Sequence, residues 1–350
     1  MKTMIKYFVV TLLGVLLLVS CDMRELCYDH DSHAYKYQVN IVADYEQEWQ
    51  YPLWPSKDWK ENWPDTFNLR YSDLLPVLPS GLRVMIYDSL RYDRQNIGRN
   101  GGLVYLTELE KSFIICNNNT ENIVFNDERD KEKASITTRP LMRNTYKGNS
   151  FSPMKDINAK TQPDVLYVSY VPSYIPVSVI NPLDFPILLK PVVYTYYIRY
   201  EFEYGIHHVA DLARGALAGL SGSVNLHTQE PGEDLATVMY DAKVRSTYID
   251  AQVTSFGLLQ DTVRLRSNLD GDYACLLNLE VRLVNGATKV FEYNDSTLSQ
   301  LDVTEQVLAQ PRGGVIVVKG LRVEDAEVVG FIDVNVEDWG PNKDVILDFN

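Results

Sequence analysis

Residues suited to metal or acid–base chemistry are few and scattered along this chain. Cysteine, histidine and aspartate occur together only in residues 27–33, which have the sequence CYDHDSH. Their spacing matches no zinc pattern, in which pairs of cysteines and histidines are separated by fixed short intervals. We therefore interpret residues 27–33 as part of a solvated leader and predict no metal site.

Two other pairs could in principle do acid–base chemistry. Glu201 and Glu203 lie on one face of a predicted strand, as a glycosidase pair would, but acidic residues are common throughout the chain. His207 and His208 begin a segment with apolar residues at helical spacing, where adjacent side chains point apart. The sequence holds no G-x-G-x-x-G, no Walker A motif and no nucleophile elbow. We predict that the protein is not an enzyme, with no catalytic residue and no cofactor.

The N-terminal residues 1–21 have the pattern of an export signal. Lys2 and Lys6 precede the apolar run YFVVTLLGVLLLV at residues 7–19. A basic start and an apolar run of this length are typical of a secretory signal rather than of a spanning helix. The final Leu18-Val19-Ser20-Cys21 is similar to the lipobox of bacterial lipoproteins, whose cysteine is acylated and becomes the first mature residue. We expect the acyl chains on Cys21 to anchor the protein to a membrane.

Charge and composition exclude some partners. The formal net charge is −14, and the basic residues form no stripe, so the chain would repel nucleic acid. The same acidic balance argues against a polybasic membrane patch, which leaves the lipid as the membrane contact. The 23 tyrosines and 5 histidines are typical of secreted β-rich binding proteins rather than of metalloenzymes.

The cysteine count leaves the disulfide state open. If Cys21 is acylated, Cys27, Cys116 and Cys275 remain, and an odd number fixes no pairing. Cys116 and Cys275 lie inside the apolar runs SFIICN and YACLLNL. We therefore interpret Cys116 and Cys275 as small buried hydrophobic residues.

Most of the tryptophans occur in one stretch, which is the candidate binding surface. Prolines at positions 52, 55 and 64 exclude a regular helix or central strand there, so we predict a long structured loop. Its rings either form an aromatic platform for a sugar or a partner, or pack over one end of the fold, and we favour packing. The residues concerned are Trp49, Trp54, Trp59 and Trp63.

Short strands with regular turn signals predict an all-β protein. Alternating or apolar strands are predicted at residues 37–42, 82–88, 104–106, 111–116, 123–125, 165–170, 192–204, 222–227, 250–256, 262–266, 273–284, 288–293, 315–318, 330–336 and 344–349. One short helix is predicted at residues 207–220. The segment 268–272 (NLDGD) partly resembles a calcium loop, but Asp-Gly between two strands is first of all a hairpin turn.

Composition shifts along the chain suggest a domain division. Residues 1–21 form the signal, 22–36 a tether, 37–145 an N-terminal β-sandwich, 146–163 a linker and 164–350 a C-terminal β-sandwich with the short helix. The chain is long enough for two domains of ordinary size.

Several short motifs together resemble the fimbrillin-like lipoproteins of Bacteroidetes. Besides Leu18-Val19-Ser20-Cys21, they are FIICNNNTENIVF at residues 113–125, LSGSVNL at 220–226, DVTEQV at 302–307 and VNVEDWGPNKDVIL at 334–347. The resemblance implies two transthyretin-like β-sandwich domains in tandem. It also implies an outer-membrane lipoprotein exposed at the cell surface.

The resemblance further implies a role in fimbriae (pili), with other fimbrial subunits as partners bound by β-strand exchange. Stalk subunits of that family lose an N-terminal strand by cleavage after a basic residue. Arg24 and Lys36 do not lie in such a context, which favours an anchor or accessory subunit. The alternative is a surface glycan-binding lipoprotein that uses the Trp-rich loop.

Overall fold

Alternation of apolar and polar side chains produces β-strands along most of this chain. A computed structural model describes residues 37–48, 58–141, 158–179, 181–259, 274–293 and 296–329. The predicted all-β class is confirmed, whereas the transthyretin-like form and the number of domains stay predictions. Within these ranges, no helix has the length and hydropathy needed to cross a bilayer.

The first half of the chain forms ten strands within the described residues. Only short turns separate most of them, and the segment before β2 contains a 3₁₀ turn at Tyr71–Leu74. The strands are β1 (Tyr37–Tyr45), β2 (Gly81–Tyr87), β3 (Tyr92–Gly98), β4 (Gly101–Leu106), β5 (Lys111–Asn117), β6 (Ile123–Asn126), β7 (Ser135–Thr138), β8 (Asn158–Lys160), β9 (Tyr167–Tyr174) and β10 (Leu183–Pro191).

Seven of these strands form a closed barrel in the order β1-β10-β9-β5-β2-β3-β4. Neighbours are antiparallel except β1 and β10, which run parallel. Side chains such as Val39, Val84, Phe113, Ile115 and Leu189 fill the interior and are almost fully buried. The barrel thus has its own apolar core.

The outer face of the barrel is covered at β2 and β5. Met85, Ile114 and Cys116 point away from the interior and pack against Ile136 and Phe256. All seven residues of β5 are consequently buried. A strand buried on both faces shows an apolar run rather than alternation, as in KSFIIC.

The second half of the chain supplies eight further described strands and the helix α1 (Thr304–Leu308). Short 3₁₀ turns lie at Ile206–His208, Ser299–Leu301 and Asp325–Glu327. The strands are β11 (Tyr194–Tyr204), β12 (Val209–Ser221), β13 (Ser223–Asn225), β14 (Leu235–Val244), β15 (Tyr248–Ser255), β16 (Leu277–Leu283), β17 (Thr288–Phe291) and β18 (Gly314–Arg322).

These strands form one bent sheet in the order β17-β16-β12-β14-β15-β11-β18, with β8 paired to β14. β14 and β15 hydrogen-bond only at Lys243–Asp250 and Val244–Ile249, so the sheet turns a corner there. Its two arms share one core, which holds Ile198 and Tyr200 from one arm and Leu217 and Leu279 from the other. β13 leaves this sheet and joins β7 and β6 in a small separate one.

The predicted helix at residues 207–220 is wrong, because this segment is mainly strand β12. The alanines and leucines of ARGALAGL have high helix propensity, but tertiary packing overrides such a preference. β12 lies between β14 and β16, and it is buried on both faces from Gly215 onward. Gly215 leaves room for a neighbouring ring, since a Cβ there would lie 2.3 Å from Tyr240. The short helix of this region is α1 instead.

The predicted domain boundary at residue 164 places β9 and β10 with the second half of the chain. In the structure, β9 pairs with β5 and β10 pairs with β1, so both strands belong to the barrel. The division of the chain into two independently folding domains stays a prediction.

Candidate functional site

Trp59 and Trp63 lie on the outer face of the bent sheet, over β11 and β18. They form a cluster with Phe67, Leu74 and Tyr197, in which the last two are almost fully buried. The ring of Trp63 contacts Phe67 at 5.1 Å and Tyr197 at 6.2 Å between centroids. We call residues 58–75 the tryptophan loop. The half-buried rings of Trp59 and Trp63 pack against the protein itself.

Both indole groups donate hydrogen bonds inside the protein. Nε1 of Trp63 donates to the carbonyl oxygen of Leu69 at 2.8 Å, and Nε1 of Trp59 donates to Oε1 of Gln310 at 2.5 Å. Indole donors that are satisfied internally fix the orientation of their rings. Cys21, Trp49 and Trp54, the other predicted site residues, lie outside the described residues, as do residues 27–33, 268–272 and Trp339.

Several polar groups beneath the tryptophan loop have partners within the protein. The guanidinium of Arg199 lies 3.8 Å from the ring centroid of Tyr248 and donates to the carbonyl of Thr66. The hydroxyl of Tyr197 donates to Asp250 at 3.0 Å. Burial and the neighbouring Asp250 carboxylate raise the pKa of Tyr197 well above its usual value. Tyr197 is therefore not an activated phenol.

The outer edge of β18 is capped by two glutamine side chains. Gln306 accepts from the N–H of Val317 at 2.9 Å and donates to its carbonyl at 3.1 Å. Gln310, one helical turn later, makes the same pair of bonds with Val315 at 2.9 Å each. A primary amide carries a donor and an acceptor like a peptide group, so it can replace a neighbouring strand. Added strands are thereby kept away from this edge.

Similar side-chain amides replace ladder bonds elsewhere. Gln95 bonds both backbone groups of Tyr105 between β3 and β4, where the strand ladder contains a single residue pair. Asn117 accepts from the N–H of Tyr167 and donates to the carbonyl of Val165. Gln162 accepts from the N–H of Thr254 on the edge of β15. We call these contacts amide caps.

The contact between β9 and β10 is different. Their ladder contains only the pairs Lys190–Val168 and Pro191–Tyr167. Continuing this antiparallel register four residues along each strand places Pro186 opposite Pro172. Neither proline has an N–H group, so the ladder cannot continue through them.

Beyond these two residue pairs, the strands diverge. β9 follows β5 as far as the pair Lys111–Tyr174, whereas β10 follows β1 from the pair Val39–Leu183. We call the boundary between residues 169–174 and 183–189 the barrel seam. No amide cap spans the barrel seam in the part of the chain that the structure describes.

The barrel seam combines strand backbone with apolar surface. The carbonyl of Leu189 accepts from the N–H of Glu46 and therefore points toward β1. Because the peptide groups of successive residues point to opposite sides of a strand, those of Leu188 point into the seam. The rings of Tyr174 and Phe185 meet edge to face at 5.1 Å and close the barrel core behind it. Exposed apolar side chains around the seam belong to Val42, Ile175, Val177, Leu183 and Leu188. An open strand edge beside apolar side chains is suited to binding an additional β-strand.

An open cavity of about 730 Å³ lies near one end of the seam, lined in part by Pro172, Arg129 and Lys131. Lys111, at its base, is 1% exposed and is held by Asp88 and Thr107, each at 2.5 Å from Nζ. Because both contacts bind the ammonium group tightly, Lys111 is a structural cation rather than a nucleophile.

Comparison with known proteins supports the fold. Residues 71–241 match the model of a domain of unknown function, DUF5119. No curated protein matches the chain. A candidate adhesin from Bacteroides ovatus has a crystal structure that covers 87% of this chain and 98% of its own, at 18% identity and a TM-score of 0.53. This match establishes a shared fold.

Other solved structures match less well. Candidate polysaccharide-binding proteins from Bacteroides thetaiotaomicron show 9% identity and a TM-score of 0.41, covering 80% of this chain and 90% of theirs. The fimbrial anchor protein Mfa2 from Porphyromonas gingivalis shows 8% identity and a TM-score of 0.41, covering 81% of this chain and 90% of its own.

The sequence contains a partial signal for the barrel seam and none for the amide caps. In the sequence, Pro172 and Pro186 indicate strands that lie at the edge of a sheet. Because the two prolines lie equally far from the paired residues Lys190 and Val168, they would face each other and interrupt the ladder. The caps join residues far apart in the chain, for example Gln162 and Thr254, and nothing in the local sequence marks them.

Proposed function

We propose that this protein is a lipid-anchored surface protein that serves as an anchor or accessory subunit of fimbriae. In this proposal Cys21 carries the lipid, and another fimbrial subunit adds a β-strand at the barrel seam. The observation that carries the proposal is the seam itself, a strand edge on which the described residues place no amide cap, whereas the edges of β18 and β15 carry such caps.

The physical basis of the binding is edge completion. A strand added beside β10 would satisfy the peptide groups directed into the seam, and its outward-facing side chains would contact the exposed Leu188. Pro172 and Pro186 prevent the protein from closing the gap with its own ladder. The fold shared with a Bacteroides ovatus candidate adhesin supports a role at the cell surface.

The glycan-binding alternative depends on Trp49, Trp54, Trp59 and Trp63, of which Trp59 and Trp63 lie within the described residues. Trp59 and Trp63 direct their indole N–H groups into the protein and pack against Phe67 and Tyr197. A sugar-stacking platform needs an open ring face. We therefore favour the fimbrial role.

The anchor part of the proposal is tested in cells. Strains that produce the wild type, Cys21→Ala or no protein are imaged for fibres, and fibre protein in the medium is quantified. We expect the Cys21→Ala and deletion strains to lose fibres from the cell and release them into the medium. Fibres that stay attached in equal number in all three strains would contradict the anchor role.

The seam part is tested by placing a charge on its apolar edge. Leu188 on β10 is 47% exposed, and Leu212 on β12 is 44% exposed, so the two form a matched pair far apart in the fold. We expect Leu188→Asp to release fibres as Cys21→Ala does, because the charge would be desolvated by an added strand. Leu212→Asp should leave fibres attached. Equal behaviour of the two variants at equal surface levels would rule out the seam as the binding edge.

A further inference from the structure

Three potential metal ligands meet at one end of the bent sheet. His207 and His208 lie in the 3₁₀ turn between β11 and β12, and Asp325 begins the 3₁₀ turn after β18. One ligand atom from each residue lies within 4.8 Å of the others. Nε2 of His208 lies 2.8 Å from Oδ1 of Asp325, and the two imidazole rings are 4.0 Å apart. The sequence argument that the histidines point apart assumed a helix, which this segment does not form.

The backbone holds the two turns together. Gly205 has φ of 81°, and a Cβ there would lie 1.9 Å from the carbonyl oxygen of Val323, so only glycine allows this approach. The N–H of Val323 donates to the carbonyl of Tyr204 at 3.1 Å, and that of Val284 donates to the carbonyl of His208 at 2.9 Å. The ligands are therefore fixed by the sheet rather than by a flexible loop, which reduces the entropy lost on binding an ion.

The surroundings favour a cation. The hydroxyl of Tyr204 donates to Oδ1 of Asp325 at 2.7 Å and orients the carboxylate. Nearby carboxylates outnumber the cations with which they pair. Glu203 and Glu324 pair with Arg322, and Glu327 pairs with Lys289.

We propose that His207, His208 and Asp325 form a binding site for a divalent transition-metal ion, with Zn²⁺ as the best match. Two imidazoles and one carboxylate are a ligand set that zinc accepts, at about 2.0–2.2 Å from each ligand atom. Two ligands of a tetrahedral zinc ion are then roughly 3.3 Å apart, so the 2.8 Å contact between His208 and Asp325 has to open only slightly. Zinc then coordinates both atoms in place of this hydrogen bond. Its fourth position faces solvent, because His207 and Asp325 are exposed.

The test measures zinc binding by titration calorimetry on the purified full-length protein in detergent. The double variant His207→Gln/His208→Gln keeps polar side chains of similar reach but removes both nitrogen ligands. The matched control is His30→Gln/His33→Gln, which removes the histidines of the leader. We expect one zinc site in the wild type and in the control, and at least a tenfold loss of affinity in the first variant. Zinc binding that survives in the first variant, or that is absent from the wild type, would overturn the proposal.

A second variant separates ligation from a purely structural role. Tyr204→Phe removes the hydroxyl that orients Asp325. This hydroxyl is not a ligand of the metal in the proposed site. Substitution of such outer partners weakens metal binding by about 10–100-fold. We expect Tyr204→Phe to weaken zinc binding by this factor and to leave the unfolding midpoint unchanged when zinc is absent. Unchanged zinc affinity in both Tyr204→Phe and Asp325→Asn would show that the cluster is only an ion pair. This inference does not depend on the fimbrial role.

Discussion

The indole Nε1 of Trp59 lies 2.5 Å from Oε1 of Gln310, the oxygen that also accepts from the N–H of Val315. The two residues are 251 positions apart in the chain. Trp59 therefore stabilises the cap of β18 from the opposite end of the sequence. This contact gives the tryptophan loop a structural role, which can be measured directly.

Replacement of Gln310 by alanine should destabilise the protein. The substitution leaves the backbone groups of Val315 and the indole N–H of Trp59 without this partner, and a buried unsatisfied group costs about 1–3 kcal/mol. We expect a lower urea midpoint and more self-association by light scattering, because the substitution uncovers the edge of β18. Gln310→Glu keeps the acceptor but places a buried anion opposite the carbonyl of Val315, so it should destabilise the protein as well. Equal stability of Gln310→Ala and wild type would show that the cap contributes nothing.

The buried pair of Lys111 and Asp88 should make stability depend on pH. Burial alone would raise the pKa of Asp88, but hydrogen bonds from Lys111 and from the N–H groups of Leu90 and Arg91 hold it below its usual value. A carboxylate with a depressed folded pKa adds stability above its unfolded pKa of about 3.9, and this stability is lost as the pH falls through the folded value.

Asp88→Asn isolates this pair from the other carboxylates. Removing one partner of a buried pair leaves Lys111 uncompensated and should cost about 3 kcal/mol at pH 7. The difference in unfolding free energy between wild type and Asp88→Asn should shrink below about pH 4. A difference that stays constant from pH 7 to pH 3 would contradict the role assigned to this ion pair.

Gly215 and Tyr240 should be energetically coupled. A Cβ at Gly215 would overlap the Tyr240 ring, whose hydroxyl lies 2.6 Å from that of Tyr200 in the core. Gly215→Ala should therefore destabilise the protein by about 1–3 kcal/mol through overpacking. Much of this loss should disappear in the background of Tyr240→Leu, where the ring is absent. Additive effects in this double-mutant cycle would indicate that the two sites do not touch.

The buried thiols should be inert in the native protein. Cys116 and Cys275 are fully buried, in agreement with their interpretation as small hydrophobic residues. Burial raises the pKa of the Cys116 thiol to about 12, so almost no thiolate is present at pH 8. In a Cys27→Ser variant, a disulfide-exchange reagent should modify Cys116 and Cys275 only after denaturant is added. Fast modification of that variant without denaturant would contradict the burial.

The sequence predicts strands best where one face is exposed or where the apolar run is short. Residues 37–42, 82–88 and 111–116 were assigned correctly on this basis. β12 was missed because its alanines, leucines and glycines are selected by close packing against Tyr240 and its neighbours rather than by strand propensity. β7 and β14 mix polar and apolar residues without a clear alternation, so neither strand is predicted from the sequence.

The candidate sites were less predictable than the strands. The barrel seam requires the register between β9 and β10, which no local pattern reveals. The cluster of His207, His208 and Asp325 requires a parallel pairing between β11 and β18, strands that are more than a hundred residues apart. Long-range pairing of this kind is set by the whole fold, so single-segment reasoning cannot find it.

The parallel pairing of β1 with β10 affects how the chain folds. Asn40 and Asp184, which hydrogen-bond across this pair, are separated by 144 residues. Loop-closure entropy must be overcome before such contacts form, and proteins rich in them fold in milliseconds to seconds. During folding, β1 can pair with β4 first, but the barrel stays incomplete until residues 183–189 join it. During that interval the chain exposes an unfinished sheet, and proteins that bind unfolded chains in the same compartment would act on this intermediate.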